Sequence, residues 1–291
     1  MIRIGTRGSA LALVQAHAVQ AALGRVGLET DIVTITTAGD RGQDIGDKAR
    51  WTSALERALV QGEIDLAVHS AKDVPGDLVE GTTIIAIPER QDPRDALCGC
   101  ASLATLAPGA RVGTSSVRRA AQIHALREDI EVVKLRGNVD TRLRRLAEGE
   151  LDAVVLAQAG LMRLGRESEI GCLLDECVPA PGQGALIVQA RADDERAAVI
   201  NDPAAERCVL AERALASHLG ATCATPLGAS AVPASAVDVT LRAWIGLPDG
   251  SHWIADELTA SASLVGAEMA QRMVAAGARE LLVRAVEMAS A

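Results

Sequence analysis

The stretch RVGTSSVRRAAQIHALREDIEVVKLRGNVDTRL, residues 111–143, carries the pattern that decides the fold. Arg111–Gly113 reads as the end of a strand. Ser115 or Ser116 then caps a helix that runs to about Leu126. Glu131–Leu135 is a second strand, and Asn138 caps a second helix from Val139 to Glu148, closed by Gly149. Ala153–Ala157 follows as a third strand, with a short helix to Leu164. Strands alternating with helices predict parallel α/β sheets.

The same alternation extends upstream. Ile2–Gly5 reads as a strand, and Ser9 caps a helix from Ala10 to Leu23 with Gly24 as its stop. Thr30–Thr36 is a strand, Ala38–Arg50 a polar loop, and Thr52–Gln61 a helix ended by Gly62. Leu66–His69 and Thr83–Ile87 are further strands. The segments Pro88–Arg94 and Pro179–Gly184 read as crossovers between two α/β lobes, with Ala185–Ala190 returning to the first. Two such passages predict a hinged pair with a ligand cleft. After a helix over Ala204–Leu219 and a loop at Gly220–Gly228, two strands (Val237–Ile245, Trp253–Leu258) and a helix (Leu264–Ala276) predict a smaller α+β domain. The expected domains are 1–90 with 185–202, 91–184, and 203–291. No internal repeat stands out.

Composition narrows the function classes. The chain has 291 residues and a formal net charge of −9. Hydrophobic residues make up 49%, enough for packed cores. No secretory signal precedes the first strand and no apolar run approaches the ~20 residues of a membrane span, so a cytoplasmic protein is expected. Tyr and Phe are absent and Trp occurs three times, which speaks against a stacking platform for nucleic acid. The six cysteines form no C-x-x-C pair, so no metal site is expected. Residues 111–145 hold nine basic against four acidic side chains. A basic island in an acidic chain points to a local anion site.

Four constellations carry candidate chemistry. Gly113–Arg119 places a strand end, a helix N-terminus and two arginines together, a site for an anion or simply a capped helix with solvated arginines. Leu135–Arg142 repeats that layout at the next junction, with Arg136 and Arg142. Arg163 follows the next strand, and Arg7 occupies the equivalent place near the N-terminus. Repetition at successive strand C-termini favours the anion reading, because ligands of open α/β sheets bind there. His69–Pro75 puts Lys72 beside Asp73 at another strand end, either a solvated pair or a tuned carboxylate. Cys223 sits in a loop, where a thiol is more easily activated than in a core. No P-loop, dinucleotide fingerprint or G-x-S-x-G elbow is present.

Taken in order, IGTRGSALAL (4–13), DLAVHSAKDVP (65–75), ERQDPRDAL (89–97), VGTSSVRRAAQ (112–122), LRGNVDTRL (135–143), AQAGLMRLG (157–165), PGQGAL (181–186) and CATPLG (223–228) resemble the porphobilinogen deaminase (hydroxymethylbilane synthase) family over nearly the whole chain. The resemblance implies an α/β fold of two hinged, periplasmic-binding-protein-like domains plus a small C-terminal α+β domain. It implies a transferase of porphyrin (tetrapyrrole, heme) biosynthesis that joins four porphobilinogen molecules head to tail and releases ammonia. It implies a covalent dipyrromethane cofactor, held as a thioether on Cys223. Asp73 matches the catalytic carboxylate, which stabilises the positive charge that develops when ammonia leaves. By the resemblance the cofactor is held by Lys72, Asp73, Ser115, Ser116, Arg118, Arg119 and Arg136, with Asp73 against the pyrrole N–H groups and the basic and hydroxyl side chains on the carboxylates. Arg7, Ser9, Arg142, Arg163, Gln183 and Lys48 are implied for the substrate. Each pyrrole brings an acetate and a propionate, so permanently charged arginines suit the task.

The sequence departs from the family at DRGQDIGDKARW (40–51), a shortened counterpart of the family's lid loop with Gly46-Asp47-Lys48 in place of Gly-Gly-Lys. Around the thiol, Ala221-Thr222-Cys223 replaces Gly-Gly-Cys. The implied partners are the small-molecule substrate alone, without nucleic acid or membrane, and the implied state is a monomer. The rival reading is a non-catalytic two-lobed binding protein for a carboxylated small molecule, which gives Cys223 and Asp73 no role.

Overall fold

In the computed structural model, residues 1–37, 49–222 and 224–290 are described. The chain order is β1 (Ile2–Thr6), α1 (Ala10–Arg25), β2 (Thr30–Thr34), α2 (Ala49–Val60), β3 (Leu66–Ser70), β4 (Thr82–Ala86) and β5 (Asp95–Cys98). There follow β6 (Arg111–Thr114), α3 (Val117–Leu126), β7 (Glu131–Lys134), α4 (Val139–Ala147), β8 (Ala153–Ala157), α5 (Gln158–Arg163) and β9 (Ile170–Leu174). The chain closes with β10 (Leu186–Arg191), α6 (Pro203–His218), β11 (Leu227–Pro233), β12 (Asp238–Gly246), β13 (Trp253–Ser261), α7 (Val265–Ala275) and α8 (Ala278–Ser290).

The fold is α/β, with the small C-terminal three-stranded sheet that the resemblance implies. Two sheets have five strands, in the orders β2-β1-β3-β10-β4 and β7-β6-β8-β5-β9, and the third runs β11-β12-β13. The five-stranded sheets are mixed rather than wholly parallel: β10 is antiparallel to β3 and β4, and β5 to β8 and β9. The chain forms two compact units, residues 1–91 with 184–209 and residues 92–183 with 210–291.

The two five-stranded sheets are built alike, a likeness that no internal repeat in the sequence announces. GEIDLAV (62–68) and GELDAVV (149–155) occupy the same place in each. Both begin on a glycine at positive φ, Gly62 and Gly149, where a side chain is disfavoured. Asp65 and Asp152 each accept the backbone N–H of the arginine that opens the neighbouring strand region, Arg3 at 2.9 Å and Arg111 at 2.7 Å. Gly5 and Gly113 lie under the residue before that aspartate. A Cβ at Gly5 would meet Ile64 Cδ1 at 2.3 Å, and one at Gly113 would meet Leu151 Cδ1 at 2.7 Å.

Other differences from the sequence reading have local causes. Gly24 lies inside α1, and the helix stops at Gly27 (φ 81°), whose N–H reaches the Gly24 carbonyl. β5 and β9 fall in segments to which the sequence reading gives no element, and β11 begins at the end of the loop read at Gly220–Gly228. The four residues of β5 are all buried, so no alternation marks them. Within the second unit the C-terminal sheet docks on α3: Trp244 packs with Ala121 and Val178, and His124 Nδ1 lies 3.0 Å from the Pro248 carbonyl oxygen.

Candidate functional site

In the first unit, Thr6 ends β1 with its hydroxyl bonded to the Ala12 carbonyl at 3.1 Å. That contact braces the loop bearing half-buried Arg7 and Ser9. The Ser9 hydroxyl accepts the Ala12 N–H at 3.3 Å and caps α1. Gln15 of α1 reaches across to Ser70 at the end of β3, donating from Nε2 at 2.8 Å. Next comes a single 3-10 turn, Ala71–Asp73. Ala71 and Val74 are buried with Ile87, Ala185 and Ile187, which fixes the turn and leaves Lys72 and Asp73 half-exposed between them. The Asp73 carboxylate has no hydrogen bond or ion pair among the described residues. His69 lies beneath: its Nε2 is 3.1 Å from Gln189 Oε1, and Gln189 Nε2 donates to Thr82 at 2.8 Å and Glu56 at 3.3 Å. Burial pushes the His69 imidazole down to about 4. It is a structural, neutral histidine at pH 7.

In the second unit, Ser116 caps α3 by accepting the Arg119 N–H at 3.4 Å, and Asn138 caps α4 by accepting the Thr141 N–H at 2.9 Å. Exposed Ser115 donates its hydroxyl to the Leu135 carbonyl. Arg118 and Arg119, one turn into α3, are 3% and 6% exposed. Both pair with Asp95, which is wholly buried, at 2.8 and 2.7 Å. Burial alone would raise the Asp95 carboxyl; the charges and hydrogen bonds of the two arginines outweigh it and hold the group well below the carboxylate range. Gln183 is buried, donating from Nε2 to Asp95 at 2.7 Å and to the Pro93 carbonyl at 2.6 Å. Asp95 was not singled out from the sequence, although it stands in the ERQDPRDAL segment as an acid opening an apolar strand.

Arg136 is exposed at the end of β7. Arg142 Nε donates to the Gly137 carbonyl at 2.9 Å, and burial together with nearby Arg119 lowers its guanidinium below the usual value. Burial takes Arg163, at the end of α5, down to about 10, still fully charged at neutral pH. Among the described residues, Arg118, Arg119, Arg136 and Arg142 have one carboxylate partner between them, Asp95. Partly desolvated guanidiniums in excess of acids suit a ligand with several carboxylates, which a dipyrromethane provides. Lys48, Cys223 and most of the shortened loop lie outside the described residues. No group of three or more His, Cys, Asp or Glu is placed to hold a metal among the described residues. Nor is any helix there long and apolar enough to cross a membrane.

Residues 2–199 match the family model described as porphobilinogen deaminase, dipyromethane cofactor binding domain, and residues 206–275 the model for its C-terminal domain. A protein named porphobilinogen deaminase from Roseiflexus castenholzii is 45% identical over 299 residues, covering 97% of this chain and 98% of its own length. One of the same name from Deinococcus radiodurans is 44% identical over 302 residues, covering 97% of each chain. Among solved structures, an ABC transporter periplasmic substrate-binding protein from Coxiella burnetii is similar at 17% identity and a TM-score of 0.43, covering 69% of this chain and 90% of its own.

Proposed function

This chain belongs to the porphobilinogen deaminase family, and we propose that it condenses four porphobilinogen molecules into the linear tetrapyrrole hydroxymethylbilane, releasing ammonia. The observation that carries the reading is the surplus of guanidinium over carboxylate at the strand ends of the second unit. When bound, the dipyrromethane supplies a fixed primer, rich in electrons, to which rings are added. Cys223 is its proposed attachment point. Arg118, Arg119 and Arg136, with Lys72, Asp73, Ser115 and Ser116, form the proposed cofactor set. Arg7, Ser9, Arg142, Arg163, Gln183 and Lys48 form the proposed substrate set.

Asp73 is the proposed catalytic residue. A carboxylate with no partner among the described residues, on a turn anchored from both sides, accepts a hydrogen bond from a pyrrole N–H without first breaking a bond to them. Its negative charge stabilises the cation that forms as the substrate's amine departs, and the carboxylate then accepts the proton lost in the final deprotonation. The three sheets support a three-domain division at 1–90 with 185–202, 91–184 and 203–291. We also place the protein in the cytoplasm as a monomer acting without nucleic acid. The five cysteines among the described residues, all free, and a net charge of −9 support that assignment.

Incubation of the purified protein with porphobilinogen tests the reading. Ammonia and a linear tetrapyrrole are expected. The intact mass should exceed that of the bare chain by two linked pyrroles, mapped to Cys223. Binding of porphobilinogen with no ammonia release, on a chain of unmodified mass, would sink the enzyme in favour of a carboxylate-binding protein.

A further inference from the structure

Arg118 and Arg119 are neighbours in sequence and equally buried, yet their hydrogen bonding differs. Arg119 commits all three nitrogens inside the protein: Nε and Nη2 to Asp95 Oδ1 at 3.0 and 2.7 Å, and Nη1 to the Val155 carbonyl at 2.9 Å. Arg118 uses Nη1 alone, in a hydrogen bond to the Val178 carbonyl and an ion pair with Asp95 Oδ2, both at 2.8 Å, and that Oδ2 has no hydrogen-bond partner among the described residues. The Arg118 Nε is buried with no hydrogen-bond partner among the described residues. Two guanidiniums and one carboxylate leave this group with a surplus positive charge out of water, an unfavourable arrangement unless an anion answers it.

The fold does not require these ions. Asp95 pairs with Ala157 at the end of β8, and the same place beside Ser70 at the end of β3 is held by Leu186. Arg118 and Arg119 stand two and three residues after the cap Ser116, and the matching positions after Ser9 are Leu11 and Ala12. One of the two like-built sheets thus fills this location with apolar side chains and folds on them. Replacing a buried ion cluster by apolar groups is commonly neutral or stabilising, so a retained cluster with an orphan donor points to a ligand.

We infer that Asp95 and Arg119 form an internal brace that positions Arg118, and that Arg118 is the member of the pair whose guanidinium contacts the bound carboxylate. Asp95 is then a positioning residue, and Arg119 and Gln183, placed above in the cofactor and substrate sets, serve those sets by holding Arg118 rather than by their own contact. This deepens the carboxylate-binding role proposed above and rests on it. Gln183 belongs to the brace as well, because its amide donates to the same Asp95 oxygen.

Four variants decide it: Arg118→Lys, Arg119→Lys, Asp95→Asn, and Asp95→Asn combined with Arg119→Gln. Each is compared with wild type for Tm, for the fraction of chain carrying the two-pyrrole mass, and for the KM of porphobilinogen. Arg118→Lys should raise KM, or cut the loaded fraction, about 10-fold more than Arg119→Lys. Arg119→Lys should lower Tm by roughly 5–10 °C more than Arg118→Lys. Asp95→Asn should lose both Tm and loading, and adding Arg119→Gln should recover part of each by restoring the wild-type charge balance. A purely structural role for Asp95 would not return loading. Equal KM and loading effects of the two lysine variants, or no recovery in the double variant, would overturn the brace. A wild-type chain with neither pyrrole mass nor ammonia release defeats the functional reading instead, and the Tm series then still tests the brace.

Discussion

The two five-stranded sheets share a strand order, a glycine under a large aliphatic side chain and an aspartate that ties two strands together. They differ where chemistry is expected. Aligning GEIDLAV with GELDAVV matches His69 of the first sheet with Leu156 of the second, and Asp73 with Gly160. The second sheet holds Asp95, Arg118 and Arg119 where the first holds Leu186, Leu11 and Ala12. One scaffold therefore carries an acid at the turn after its third strand, and the other carries cations on its first helix. The shared positions maintain the fold and the unshared ones are the functional candidates, so substitutions at matched positions test the comparison directly.

The largest effect is expected at Asp73. Asp73→Asn keeps the size of the side chain and removes its charge. Turnover should fall roughly 10²–10⁴-fold with Tm unchanged, measured by ammonia release and thermal unfolding. Near-normal turnover would leave the first sheet's difference without a catalytic meaning.

His69 gives the next effect, and its sign is fixed. Its folded-state pKa is depressed to about 4, whereas an unfolded histidine titrates near ~6.5. The contribution to stability is fully present above ~6.5 and is lost as pH falls through 4, by up to ~3 kcal/mol. His69→Leu copies the matching residue of the second sheet. It should cost ~1–3 kcal/mol at pH 7, because Gln189 Oε1 loses its partner, and should flatten the decline between pH 6.5 and 4. Urea unfolding at several pH values reads both, and an unchanged slope would exclude His69 as the source of acid sensitivity.

Much of this comparison was open to sequence reading and part was closed to it. The caps Ser9, Ser116 and Asn138 were legible because capping is local, three residues from side chain to amide. The position of Arg118, Arg136, Arg142 and Arg163 in the segments that follow β6, β7 and β8 was legible because strand–helix alternation places them there. Asp95 was not, since its partners lie 23 and 24 residues away and on another element, and nothing local marks a long-range ion pair. β5 was missed because a short strand inside the sheet, buried on both faces, loses its alternation. The likeness of GEIDLAV and GELDAVV is visible in the letters. It gains meaning only when the register shows that both segments enter the third strand of a sheet.

The glycine positions come next in size. Gly5→Ala and Gly113→Ala should each destabilise by ~1–3 kcal/mol through overpacking against Ile64 and Leu151. Ile64→Val removes the clashing Cδ1 and should recover part of the Gly5→Ala loss in urea unfolding. Recovery at one glycine only, with Leu151→Val tested at the other, would show that the two close approaches are not equivalent.

The smallest effect separates the aspartates. Asp65 is 8% exposed and accepts the backbone N–H, Nε and Nη2 of Arg3, with Arg191 and Arg196 at 3.4 and 3.5 Å. Asp152 is exposed and accepts the Arg111 backbone N–H, while the Arg111 side chain turns to the Glu150 carbonyl. The hydrogen bonds from Arg3 hold the Asp65 carboxyl well below its ordinary range. The stability it contributes is therefore present above the unfolded value near ~4 and is lost as pH falls below it. Asp65→Asn should cost ~1–2 kcal/mol at pH 7 and Asp152→Asn ~0.5 kcal/mol or less, since an exposed acid loses little with its charge. Equal costs would mean that the backbone tie alone, common to both sheets, supplies the stability, and that the three arginines around Asp65 add nothing to it.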